Sequence, residues 1–87
     1  MDLSRVLDFL GRRRNAYRVT FDNPVGRRVL ADLAVFCRAT TSTFHPDPRV
    51  HAVAEGRREV FLRIQNHLNL SDEQLFELVT QGKSPKE

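Results

Sequence analysis

The helical stretch from about Pro48 to Asn66 or Leu68 constrains the fold most. Val50, Val53, Ala54, Val60, Phe61, Ile64 and Leu68 hold the three- and four-residue spacing of one helix face. Asp47-Pro48 marks the start, because aspartate caps free N–H groups and proline lacks the N–H that a first turn cannot use. A helix this long takes up much of an 87-residue chain, so its apolar face must be covered by other short elements or by a partner.

Three further helical segments can be read, and no convincing strand. The first runs from about Leu3 to Arg14, with Tyr17 as its far limit. Leu3, Val6, Leu7 and Leu10 share a face, while Gly11 and Asn15 weaken the far end. Residues 17–22 read as a short extended connector. Asn23-Pro24 repeats the cap-plus-proline start, and a second helix should reach about Thr40 with Val29, Leu30, Leu33, Phe36 and Cys37 on its apolar side. Residues 41–46 have loop composition. The last helix should begin at Ser71, which matches a capping box with Gln74, and end at Gly82. Its short link to the preceding helix predicts a helical hairpin. The expected fold is all-α, a small bundle of about four helices whose last two form that hairpin. One domain should cover residues 1–82, followed by a disordered polar tail over 83–87.

Several function classes lose support on the same residues. No run of about 18 apolar residues is present to span a membrane. The order of charged and apolar residues at the N-terminus is the reverse of a signal peptide, so a mature cytosolic product is expected. Cys37 stands alone among apolar neighbours and should be a buried thiol. With His45, His51 and His67 it does not supply a zinc set. Asp22, Asp32, Asp47, Glu55 and Glu59 show no spacing that calls for acid–base work, and Ser4, Ser42 and Ser71 have no recognisable base. No glycine loop for phosphate follows a strand. The expectation is therefore no enzyme, no cofactor and no metal.

The charge is more telling. The net charge is +3 and the basic side chains are twelve Arg and two Lys. Arginine suits planar, bidentate contacts with carboxylates and phosphates. Gly-Arg-Arg occurs three times, at residues 11–13, 26–28 and 56–58. Arg12, Arg13 and Arg14 form a basic run placed near a helix end, either as a solvated cap or as a patch for phosphate or an acidic partner. Arg27 and Arg28 point away from the second helix's apolar face, and Arg28 is within reach of Asp32 one turn on. Arg57 falls on the apolar stripe of the third helix. It should snorkel, pair with a carboxylate of another helix such as Asp32 or Asp22, meet another subunit, or contact a ligand directly. Arg58 is more lateral and can pair with Glu55, and Glu59 with Arg63. Gly56 inside a helix costs about 1 kcal/mol relative to alanine, which a closely approaching neighbour would explain.

A helix-turn-helix reading fails on the candidate reader: Asp72 to Gln81 is acidic and has no basic residue. Aromatic platforms interleaved with basic residues are also missing, which leaves nonspecific phosphate contact open.

Three motifs in order carry a resemblance: Gly-Arg-Arg-Val-Leu-Ala-Asp-Leu at 26–33, Phe-His-Pro-Asp-Pro at 44–48, and Glu-Gly-Arg-Arg-Glu-Val at 55–60. Over about residues 21–70 the chain resembles a family of small proteins of tailed, mainly short-tailed, bacteriophages, encoded near portal and capsid genes. The resemblance carries over no catalytic residues. It implies a virion structural or assembly role, with phage structural proteins (portal, internal or tail components) and further copies of the chain as partners. That would be a ring near the portal, or an internal component released with DNA. In this reading Arg57, Arg58, Gly56 and Asp32 belong to an interface or an ion pair. Arg12, Arg13, Arg14, Arg27 and Arg28 face partners or packaged DNA. A packaging accessory that binds nucleic acid nonspecifically is the alternative, and an early protein that binds a host factor is a third.

Overall fold

A computed structural model of the chain describes residues 2–83. Four helices follow one another: α1 (Leu3–Phe21), α2 (Pro24–Phe36), α3 (Pro48–Leu68) and α4 (Asp72–Lys83). No strand occurs among the described residues. The all-α expectation therefore holds, and the three cap signals act as read. The Asn23 and Asp47 side chains accept from the N–H groups of Gly26 and Arg49, each with proline in the first turn. Ser71 and Gln74 form the reciprocal capping box, at 2.9 and 3.2 Å.

Four boundaries and packing expectations need correction. First, α1 does not stop near Arg14; it continues through the supposed connector to Phe21. Tyr17 and Phe21 gain tertiary partners there and pack against the core, which overrides their weak helix propensity. Asn23 then turns the corner. Its side chain donates to the Val19 and Thr20 carbonyls while accepting from Gly26, so one residue ties α1's last turn to α2's first.

Second, α2 ends at Phe36 rather than Thr40. Arg38 adopts φ 55°, and the N–H groups of Arg38 and Ala39 bond back to Val35 and Ala34. This is a left-handed helix stop of the kind glycine fills most easily; an L-residue there costs about 1 kcal/mol. Asn69 ends α3 in the same setting, which asparagine tolerates better.

Third, α3 and α4 are not a packed hairpin. α4 leaves the Asn69–Ser71 link and lies along α2, and that is the main helix pairing of the fold. The reason is small side chains. Ala31 and Ala34 of α2 are almost fully buried against Leu75, Leu78 and Val79 of α4, and the helices come close at Gly82. A Cβ on Gly82 would collide with the Ala31 carbonyl oxygen. Gly82 is therefore a contact glycine inside α4 rather than its terminator. Lys83, assigned to the polar tail, is helical, and the rest of that tail (residues 84–87) lies outside the described residues.

Fourth, a Cβ placed on Gly56 would meet nothing within 4 Å, so no helix of the same chain approaches it closely. The close approach expected at Gly56 is instead made at Gly82, and at Gly26 against Thr20 and Phe21.

The core is small. Leu30, Ala31, Ala34, Cys37, Ala39, Phe61, Ile64, Leu75, Leu78 and Val79 form it, and Phe61 and Leu30 are the largest fully buried side chains. The chain is also drawn out, at 47 × 34 × 18 Å. Its radius of gyration is 15.1 Å, against about 12 Å for a compact chain of this length. α1 contributes no buried residue to the core.

Candidate interaction surfaces

The same geometry leaves apolar side chains uncovered. On α1, Leu3, Leu7 and Leu10 continue the stripe on which Tyr17 and Phe21 pack inward, yet they are 69%, 59% and 47% exposed. On α3, only Ala54, Phe61 and Ile64 of the predicted stripe are buried, while Val50, Val53 and Val60 face outward. α2 ends before it can cover that first half of α3, and the 37–47 segment takes a different course. That segment is pinned by buried Thr43, whose hydroxyl donates to the Glu55 carboxylate, and by His51, whose Nδ1 donates to the Thr43 carbonyl at 3.1 Å.

Arg57 pairs with neither Asp32 nor Asp22. Its guanidinium lies over the Phe36 ring, 4.6 Å from the centroid, at the edge of the uncovered valines. Asp22 instead takes Arg27, at 2.9 Å, in an exposed pair worth a few tenths of a kcal/mol. Asp32 is exposed on α2. Arg58 is half-buried, with a shielded Nε that finds no acceptor, while Glu55 accepts from Thr43. The Glu59–Arg63 pair is likewise not formed among the described residues.

Two arginine-rich surfaces result. The first is an open groove of about 340 Å³, lined by Arg38, Arg49 and Arg57 around Val50, Val53 and Ala54. No carboxylate lines it. Arg49, Val53 and Arg57 lie one turn apart on α3, so their common face was readable from spacing. Arg38 was not readable, because a left-handed backbone residue carries it there.

The second surface gathers around His67, near the end of α3. Its ring stacks on Tyr17 at 4.2 Å, and its Nδ1 is shielded without a partner. Burial holds the imidazole pKa below its usual value, and the charges of Arg63, Arg13 and Arg14 lower it further. The basic run expected at a helix end is thus inside α1, where Arg13 also covers Phe9 at 4.5 Å. The other two predicted arginines of this class, Arg12 and Arg28, are exposed. Cys37 is buried as expected; burial raises its pKa, and Arg57 partly offsets the rise.

These features define a class: a small all-α protein whose arginines and uncovered apolar side chains share the surface. The chain belongs to the Bbp19-like phage protein family, whose model matches residues 17–80. The match is wider than the motif-bearing stretch and takes in α2, α3 and most of α4. The Arg38–Arg49–Arg57 groove lies inside it, whereas Leu3 to Leu10 and Arg12 to Arg14 lie outside. No curated protein and no solved structure matches the chain. Among the described residues, no helix is long and apolar enough to cross a membrane.

Proposed function

We propose that this phage protein is a non-enzymatic, virion-associated structural or assembly protein, put together in the bacterial cytoplasm. It works through repeated contacts with copies of itself and with portal, internal or tail proteins. The observation that carries this reading is the uncovered apolar stripe of α1. Three leucines in a row on a helix with no buried residue are what a folded chain keeps for a partner. Arg57 and Gly56, exposed on α3, serve the same purpose, with half-buried Arg58 beside them. Peptide mass spectrometry of purified virions tests the reading. The protein should be present in a fixed ratio to the portal, and its absence from particles would overturn the proposal.

A second reading is nonspecific phosphate contact, favoured by Arg13, Arg14 and Arg63, whose charges all act on His67. It requires DNA binding that weakens steeply between about 50 and 200 mM salt. If DNA fails to bind even at the lower salt, that reading is lost. Absence from virions together with a host protein in a pull-down would select a host-factor role instead.

A further inference from the structure

The groove on α3 is basic, apolar at its floor and free of carboxylates. The opposite chemistry exists elsewhere in the same chain. α4 turns Leu75, Leu78 and Val79 inward and presents Asp72, Glu73, Phe76 and Glu77 outward. These four fall one turn apart in two overlapping rows, so they share a face, with Phe76 among the acids. Phe76 is 61% exposed, and no salt bridge among the described residues engages Asp72, Glu73 or Glu77. Three arginines around a valine floor thus have a counterpart in three carboxylates around one phenylalanine.

We infer that α4 of one copy seats in the Arg38–Arg49–Arg57 groove of another. This rests on the proposed assembly role and gives it a geometry. Phe76 would cover Val50 and Val53, while the carboxylates meet the guanidinium groups at the rim. Such a pairing of unlike charges sets register and partner choice, and the apolar centre supplies the holding contact. Gly56 lies beside this face with open space above it, so a neighbouring helix can come near α3 without meeting a side chain. The two surfaces share no residue, so every copy offers one groove and one α4. Repetition of such a contact builds a ring when the rotation closes and a filament when it does not.

The test uses the full chain in analytical ultracentrifugation up to about 1 mM. Wild type should sediment as an assembly. A groove variant, R49Q/R57Q, and an α4 variant, E73Q/F76A/E77Q, should each sediment as a monomer with unchanged helix content. Mixed in equal amounts, they retain one intact groove and one intact α4, and should recover a pair of two chains and nothing larger. A monomeric wild type at about 1 mM, variants that assemble like wild type, or a mixture that stays monomeric would each overturn the inference. A wild-type oligomer untouched by both variants, or a monomer still found in particles, removes this contact alone and leaves the assembly role standing.

Discussion

Glycine to alanine at two positions should move stability in opposite directions. At Gly82 a new Cβ would collide with the Ala31 carbonyl oxygen and lie 2.8 Å from both the Ala31 carbonyl carbon and Val35 Cγ2. Two of these atoms are backbone, so relief requires the last turn of α4 to lift away from α2. Overpacking of this kind costs about 1–3 kcal/mol. The better helix propensity of alanine offsets at most about 1 kcal/mol, and less in a final turn. The net expectation is a loss of about 1–2 kcal/mol. At Gly56 nothing lies within 4 Å, so only the propensity remains. Gly56→Ala should gain up to about 1 kcal/mol. For a domain of this size, each kcal/mol shifts Tm by about 4–8 °C. Urea and thermal unfolding followed by far-ultraviolet circular dichroism, at high dilution so that association does not contribute, measures both. A fully stable Gly82→Ala protein would mean that α4 does not pack on α2 as described. Loss of stability in Gly56→Ala would mean that something within the chain covers that position.

Three further outcomes are expected. Asn23→Ala removes a cap on α2 and two bonds to the end of α1, and should cost about 1–2 kcal/mol in the same unfolding assay. Arg38→Gly relieves the left-handed backbone strain and should raise stability by about 0.5–1 kcal/mol, while weakening self-association in ultracentrifugation. The third concerns pH. The His67 pKa is lowered on folding, so the unfolded chain binds the proton more readily. The stability from the neutral ring is fully present above about pH 6.5 and falls as pH drops toward the folded pKa. Urea midpoints at pH ~7.5 and ~5.5 should differ, and His67→Gln should flatten that difference; an equal slope in the variant would exonerate His67.

What the sequence made legible was local. Asn23-Pro24, Asp47-Pro48 and the Ser71–Gln74 box are signals contained within a few residues, and all three helix starts fall where they point. What it hid depends on distant residues. Tyr17 to Phe21 look extended in isolation and become helical because His67 and the core meet them. The pairing of α4 with α2 rather than α3 follows from Ala31, Ala34 and Gly82, small residues whose value emerges only when two backbones meet. The candidate surface was half legible. Arg57 was marked by its place on an apolar stripe, and Arg49 shares its spacing. Arg38 depends on a helix stop, and the Phe36 ring under Arg57 depends on where α2 ends.

The pairing of α2 with α4 also bears on how the chain is made. α2 leaves the ribosome with its alanine face bare, and the whole of α3 must be synthesised before the helix that covers that face exists. Until α4 forms, Leu30, Phe61 and Ile64 lack the cover of Leu75, Leu78 and Val79. Translation speed across α3, and the supply of chaperones to nascent chains, should therefore set how much protein reaches its folded form. A permuted gene that encodes α4 before α3 would shorten that exposure while keeping the same core residues.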